Sequence, residues 1–334
     1  MSKWYIGAGE QNDVVISTRV RLARNISEYP FPCKLNTKSR TELNNLIEST
    51  VMKDNKYNLR FVEMKTMARF EAASMAEKHI ISPEFASDAD GRAILISTDE
   101  DICIMLCEED HIRLQVMRPG YALDEAYELA NEIDDNLNEK FDFAFDNNLG
   151  YLTQCPTNLG TGMRASVMLH LPALTISGQI SKLQTTISRL GLTLRGAFSE
   201  SNGTVGDIYQ LSNQITLGIS EKSAIENLKS ITLQLCAQER QAREELLKSM
   251  DTDDAIFRAY GILKYARVLS TEEMLRNLSL VRLGSVSKKL DLPLETINEL
   301  MVSLQPASIN VNAGQKLNKF DRDVERAKKV REMI

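Results

Sequence analysis

Between residues 93 and 117 the chain runs three short apolar segments with no space for a helix between them. Segments 93–98, 102–107 and 111–117 are separated only by the acidic turns Asp99-Glu-Asp101 and Glu108-Glu-Asp110. A parallel connection needs a dozen or more residues, so these strands must fold back on one another as an antiparallel meander. Further strand patterns start at Asp13 and lie near Tyr151 and at 164–171, 192–198 and 207–213. Helical spacing of apolar residues marks 39–55, with Ser39 or Thr41 as cap, then 67–81, 123–143, 179–190 and one long helix over 221–250. The expected fold class is α+β for residues 1–250, an antiparallel β-sheet flanked by helices. Residues 251–334 change character and read as a helical domain. Its helices span 254–269, 271–283 behind the capping pair Ser270/Glu273, and 294–304. A loop then runs from Gln305 through Gly314, and a charged terminal helix follows.

A second feature concerns charge. From Asn147 to Ser199 the chain holds no Asp or Glu, although 46 of its 334 residues are acidic. At that average about seven acids belong in a stretch of this length. The stretch carries Arg164, Lys182, Arg189 and Arg195, and Glu200 ends it. A segment cleared of negative charge and supplied with arginines suits a polyanion, best a nucleoside triphosphate. The carboxylate at its edge suits a cationic second substrate.

Other residues join this pattern. Arg19 and Arg21 alternate in Ser17-Thr18-Arg19-Val20-Arg21, so on a strand both point to one face. Arg113 falls on the third meander strand. Guanidinium groups suit phosphate oxygens because they offer parallel donors and keep their charge. Each arginine taken singly also fits an ordinary solvated surface. Glu108-Glu109-Asp110 reads either as a solvated hairpin tip or as half of a carboxylate pair, Glu109 with Glu200, around a guanidinium. Such a cation is a poor nucleophile, and carboxylates that orient it and take its proton assist its attack.

Several chemistries are excluded. Gly160-Thr-Gly162-Met-Arg-Ala165 loosely matches a dinucleotide fingerprint, but a strand pattern follows it and no acid appears before Glu200. No P-loop motif occurs. The glycine loop is open to two readings, a flap over phosphates or a plain hairpin connection. The three histidines (His79, His111, His170) and five cysteines have no zinc spacing, so no protein-held metal is expected. Cys155 fits both a reactive thiolate and a buried structural thiol. The net charge of −6 argues against direct nucleic-acid binding. Scattered cysteines and the lack of a signal peptide or apolar span point to the cytoplasm, with no membrane association.

Five ordered motifs resemble the guanidino (phosphagen) kinase family. They are Ser17-Thr-Arg-Val-Arg21, Glu108-Glu-Asp-His-Ile-Arg113, Cys155-Pro-Thr-Asn-Leu-Gly-Thr161, Arg164-Ala165-Ser166-Val167 and Arg195-Gly196-Ala197-Phe198-Ser199-Glu200. The resemblance implies that Arg19, Arg21, Arg113, Arg164 and Arg195 cradle the phosphates of ATP, carried with Mg2+. It also implies that Glu109 and Glu200 clamp the acceptor guanidinium with Cys155 beside it. Two departures narrow the family. Only 16 residues precede Ser17, where kinases of free arginine or creatine carry a helical domain. Met168 stands where those kinases place a histidine against the adenine. Both features resemble the bacterial protein-arginine kinase branch, in which His79 looks like a further nucleotide-side residue. That branch has an R-D-x-x-R-A motif for phosphoarginine in its last domain, here Arg322-Asp323-Val-Glu-Arg326-Ala327. Taken alone, the segment reads as a solvated charged helix.

The resemblance implies phosphorylation of arginine residues in proteins under a stress response, in a homodimeric, allosteric enzyme. The implied partners are a zinc-finger activator, a Clp-type unfoldase-protease and a stress-response transcriptional repressor as one substrate. Two other readings remain open at this point. One is a kinase of free arginine or another small guanidine, and the other a non-catalytic phosphoarginine-binding adaptor.

Overall fold

The computed structural model describes residues 3–7, 9–198 and 204–334. Among them one sheet has eight strands, in the order β2-β3-β4-β5-β1-β8-β10-β9, with every neighbouring pair antiparallel. These strands are β1 (Val15–Arg24), β2 (Leu59–Glu63), β3 (Ala93–Ser97), β4 (Ile102–Leu106), β5 (Ile112–Pro119), β8 (Met163–His170), β9 (Leu192–Gly196) and β10 (Ile208–Asn213). A small hairpin, β6 (Phe145–Asp146) with β7 (Gly150–Tyr151), stands apart. The meander β3-β4-β5 is the one its short acidic turns require. Strand β2 lies outside it and has no clear alternation to announce it.

One face of the sheet is covered by α1 (Thr37–Val51), α4 (Leu123–Asn138), α6 (Ile180–Arg189) and α7 (Glu221–Leu246). Helix α4 shows why: Leu123, Ala126, Ala130, Ile133 and Leu137 recur at helical spacing and are all buried. They share a core with Val20, Leu22, Leu114, Val116, Val167 and Leu211 from the strands. Asn36, rather than Ser39 or Thr41, caps α1, its side chain accepting from Ser39 N at 2.9 Å.

The other face meets α2 (Arg69–Glu77), α3 (Pro83–Ser87) and the helices of the C-terminal region. These are α8 (Met250–Tyr265), α9 (Thr271–Val286), α10 (Leu294–Ser303), α11 (Pro306–Ala313) and α12 (Lys319–Met333). Ile94, Met105, Met117, Met168 and Ile208 form one core with Leu278, Val281, Leu300 and Val330. The short helix α5 (Pro172–Ile176) follows β8.

Several expected boundaries move. The 67–81 helix stops at Glu77, where His79 takes a positive φ of 56°. The 123–143 helix ends at Asn138. The 221–250 helix breaks after Leu246, and Ser249 caps a new helix that begins at Met250. The expected loop 305–314 is helix α11, with Pro306 in its first turn and Gly314 at φ 65° ending it. Ser270 caps α9 by accepting from Glu273 N. No helix among the described residues is long and apolar enough to cross a membrane.

Candidate active site

The strand register gathers the arginines. Residues directly opposite on antiparallel strands share a face. Arg19 faces Ser166, Arg21 faces Arg164 and Ala23 faces Arg113. Arg195 faces Gln210, which faces Met168, which faces Ser17. Arg19, Arg21, Arg113, Arg164 and Arg195 therefore all stand on one face of the sheet, the face that also meets the C-terminal helices. Ser17, Ser166 and Met168 share this face, while Thr18, Val20, Ala165 and Val167 alternate away from it. Val20, Ala165 and Val167 are buried in the helix-covered core, and Thr18 donates its hydroxyl to Gly120 O at 2.8 Å. Their side chains do not reach the arginine face.

The arginine cluster is short of anions. Burial, then the charges of Arg113 and Arg164, holds the Arg19 guanidinium down to about 10. Burial and the charges of Arg19, Arg113 and Arg164 press Arg21 well below its ordinary value. Arg164 is lowered by burial, Arg195 and Arg113. The Nε atoms of Arg21 and Arg164 are buried with no hydrogen-bond partner among the described residues. A buried donor without an acceptor is costly, and a buried unpaired cation more so. A polyphosphate supplies what these groups lack, so the residues fit ATP.

Beside Arg19 a small cleft is lined by Trp4, Ser17, His79, Met117, Ser166, Met168 and Gln210. The His79 ring lies 5.4 Å from Phe198 and 6.4 Å from Trp4, centroid to centroid. Burial and the charges of Arg19 and Arg21 push its pKa down to about 3, so the imidazole is neutral. Gly196 pairs with Tyr209, and Ala197 N donates to Ile208 O. Ser199 and Glu200 lie outside the described residues.

The acidic turn between β4 and β5 is no solvated tip. Glu108 is buried and binds both Arg113 and Ser82. Burial alone raises its carboxyl, but Arg113 and the hydrogen bonds outweigh that and hold it low. Asp110 is buried too, accepting from Asn25 Nδ2 at 2.6 Å and from Gln154 N at 2.8 Å. His111 Nδ1 accepts from Ile26 N at 3.0 Å. Glu109 alone stands at the surface, without a hydrogen bond or ion pair to any described residue. Its carboxyl is raised by partial burial and by the charges of Glu108 and Asp110.

Asp110 also ties this turn to the loop that carries Cys155. The thiol of Cys155 lies 3.1 Å from Thr157 Oγ1. The loop is pinned rather than free. Thr216 Oγ1 donates to Thr157 O and Leu159 O, and Thr161 N donates to Thr216 O. Gly160 adopts φ 107°, and a Cβ there would sit 2.2 Å from Thr216 O. Only glycine fits that crossing.

The segment Arg322-Asp323-Val-Glu-Arg326-Ala327 falls on α12. Arg326 is fully buried, donating to Leu304 O at 3.0 Å, Leu269 O at 2.8 Å and Asp323 Oδ1 at 2.5 Å. Ala327 is buried as well, and Arg322 donates to Leu317 O at 2.7 Å. The expectation of a solvated charged helix therefore fails for half of this motif, because its 326/327 face packs into the C-terminal core.

The model for the ATP:guanido phosphotransferase C-terminal catalytic domain matches residues 42–242, and that for the protein-arginine kinase McsB C-terminal domain matches 249–334. The protein-arginine kinase of Halothermothrix orenii is 44% identical over 334 residues, covering 99% of this chain and 96% of that protein. The chain belongs to the protein-arginine kinase family. Its catalytic region is that of a guanidino phosphotransferase.

Solved structures carry the same fold as this protein-arginine kinase family member. The duplicated taurocyamine kinase of Schistosoma mansoni, with bound transition-state-analogue components, superposes with TM-score 0.61 at 28% identity over 70% of this chain. The chain spans about a third, 34%, of that longer protein. A lombricine kinase superposes with TM-score 0.60 at 23% identity, over 72% of this chain and 69% of that one. Sequence reading missed Gln115, Ser82 and Trp4, which border the arginine face. Gln115 alternates with Arg113 on β5 and was legible by that spacing, whereas nothing local marked the other two.

Proposed function

We propose that this chain transfers the γ-phosphoryl group of ATP to a guanidinium nitrogen of arginine residues in proteins. The observation that carries the reading is the single sheet face on which five arginines converge, with unmet Nε donors on Arg21 and Arg164 and an unpaired Glu109 at its edge. The arginines hold the triphosphate in line with the acceptor. Glu109, with Glu200 as its counterpart, orients the guanidinium and accepts the proton lost as nitrogen bonds to phosphorus and the bond from phosphorus to the leaving ADP oxygen breaks. The arginines stabilise charge as it moves toward that oxygen. Among the described residues no group of three His, Cys, Asp or Glu side chains could hold a metal ion. Magnesium would arrive on the ATP phosphates and would lower the triphosphate's net charge.

The same reading divides the chain near residue 250. Residues 1–250 form the catalytic part, and 251–334 a regulatory part in which Arg322, Asp323, Arg326 and Ala327 answer phosphoarginine. The buried Arg326 supports a motif built into the fold. The family resemblance supports a cytoplasmic homodimer acting in the stress response. It also supports a zinc-finger activator, a Clp-type unfoldase-protease and a transcriptional repressor as partners. Phosphorus NMR of a protein substrate treated with ATP and magnesium tests the reaction. A phosphoramidate signal on the protein is expected; phosphorylation of free arginine alone, or no transfer, overturns the reading.

A further inference from the structure

The segment 77–82 lies between the C-terminal region and the arginine face and is held at both ends. At its start, Glu77 ends α2 and turns its carboxylate onto the first turn of α11. Glu77 Oε1 accepts from Ala307 N at 2.7 Å, and Oε2 accepts from Ser308 N at 2.8 Å and from Ser308 Oγ at 3.1 Å. One turn earlier, Ser74 Oγ meets Ser308 Oγ at 2.9 Å, with both residues buried. The contact joins parts of the chain 230 residues apart, and its acceptor is an anion on the free N–H groups of a helix start.

Beyond Glu77, His79 and Ser82 turn toward the site, while Ile80 and Ile81 pack in the core shared with the C-terminal helices. His79 turns with positive φ, which lets its ring enter the cleft beside Arg19. Gln115, on the arginine face opposite Arg21, donates to both His79 O and Ile80 O at 2.9 Å. Ser82 Oγ then binds Glu108, which holds Arg113. Five residues thus set the His79 wall of the cleft and the Glu108–Arg113 pair beside the acceptor turn. Helix α2 is nine residues long and packs through the buried Ala72 and Ser74, with Met75 and Ala76 against the same core, and Glu77 adds the charged contact that fixes its last turn.

We propose that Glu77 is a positioning residue for phosphoryl transfer, fixing His79 and Ser82 by anchoring α2 to α11. This rests on reading the arginine face as the ATP site. The C-terminal region is then part of the scaffold that sets nucleotide affinity, in addition to any regulatory ligand it binds.

Trp4 provides a readout separate from turnover. It is the sole tryptophan of the chain and lines the cleft with His79. Binding of ATP is titrated by Trp4 fluorescence in the full-length chain, alongside kcat and KM for ATP with a protein substrate. Glu77→Gln puts an amide N–H against the N–H groups of α11. Its ATP dissociation constant is expected to rise about tenfold, the equivalent of one lost hydrogen bond to a charged group. Its kcat is expected to fall as well. Ser308→Ala removes the hydroxyl's contacts to Glu77 and Ser74 but keeps both N–H groups on Glu77, and it is expected to shift both constants the same way, by about twofold. A purely structural role reduces the active fraction and leaves the ATP constant per active molecule unchanged, which overturns the proposal. A folded Glu77→Gln protein with wild-type constants overturns it too. Should that variant not fold, unchanged constants in Ser308→Ala do so. Arg19→Ala separates the two levels: if it binds ATP as tightly as the wild type, the ATP reading itself fails, whatever Glu77 does.

Discussion

Arg21 and Arg164 stand directly opposite one another on adjacent antiparallel strands, two like charges in a position where sheets place complementary pairs. Neither Nε has a hydrogen-bond partner among the described residues, and the buried carboxylate whose charge acts on Arg21, Glu108, is engaged by Arg113 and Ser82. Opposed like charges cost up to about 1 kcal/mol even at exposed pairs. The ligand-free fold therefore carries a repulsion that a bound polyanion relieves, and substrate binding and stability become linked.

That linkage predicts opposite effects of one substitution. Arg164→Met keeps the length of the side chain and removes the repulsion. In the absence of nucleotide its Tm is expected to rise by about 2 °C, as about 1 kcal/mol does in a domain of this size. Saturating ATP should raise the Tm of the wild type and leave the variant unmoved. Calorimetry of both proteins with and without ATP checks this. A variant that ATP still stabilises fully shows that Arg164 is not a phosphate ligand.

Glu109 predicts the other half of the reaction. Since Glu108 and Asp110 are occupied by structural partners, Glu109 is the carboxylate of that turn free to hold a cation. Glu109→Gln is expected to lower kcat by about a hundredfold or more, the scale of general acid–base assistance plus orientation. ATP affinity should stay within about twofold. The carboxyl is raised by partial burial and by Glu108 and Asp110. Wild-type activity should therefore climb with pH as this group ionises above the usual carboxylate range, and the climb should be missing from the residual activity of Glu109→Gln. Steady-state kinetics across pH decides, and an unaltered kcat removes Glu109 from the mechanism.

These residues differ in how far the sequence revealed them. The alternation of Arg19 and Arg21 placed both on one face because strand periodicity is local. That Arg113, Arg164 and Arg195 share the face depends on register between strands far apart in sequence, β1 with β5 and β8 above all, which no local pattern encodes. The meander was legible from turn length alone. Helix α11 was not. Its sequence, Pro-Ala-Ser-Ile-Asn-Val-Asn-Ala, lacks strong periodicity, and its start is stabilised by Glu77 from a distant part of the chain. Glu108 and Asp110 look solvated in sequence and are buried in the fold, because Arg113 on β5 and Asn25 just after β1 reach them.

A buried acid away from the site sets a pH dependence of stability. Glu239 on α7 is fully buried and accepts from Ala173 N and Leu174 N, both at 3.0 Å. Burial pushes its carboxyl up to about 7, and the two N–H groups only partly oppose this. A raised folded pKa means that the native state binds more protons than the unfolded chain between about 4.5 and about 7. Stability from this group is therefore lost as pH rises through that window, by about 3 kcal/mol in all. Urea unfolding of the wild type and Glu239→Gln at pH 5 and pH 8 should show a difference that shrinks or reverses at the higher pH. A constant difference at both values rejects the assignment.

The last prediction concerns Arg326, whose guanidinium is enclosed in the C-terminal core and donates to Leu304 O, Leu269 O and Asp323. Two of these acceptors bracket helix ends: Leu269 precedes the Ser270 cap of α9, and Leu304 follows α10. Lysine carries the charge but has no planar fork, so it cannot serve both carbonyls and Asp323 at once. Arg326→Lys leaves at least one buried carbonyl without its donor and is expected to cost about 2–3 kcal/mol. Arg326→Ala also leaves Asp323 without its ion pair and is expected to cost about 3–5 kcal/mol. Among the described residues Arg322 donates to Leu317 O alone and it lies partly exposed, so Arg322→Ala should cost about 1 kcal/mol or less. Denaturant midpoints for the three variants check this order. If Arg326→Lys is as stable as the wild type, the three hydrogen bonds of Arg326 do not hold this core together. If the order holds, any loss of phosphoarginine response in Arg326 variants has to be measured against their loss of fold, with Arg322→Ala as the variant that tests ligand binding alone.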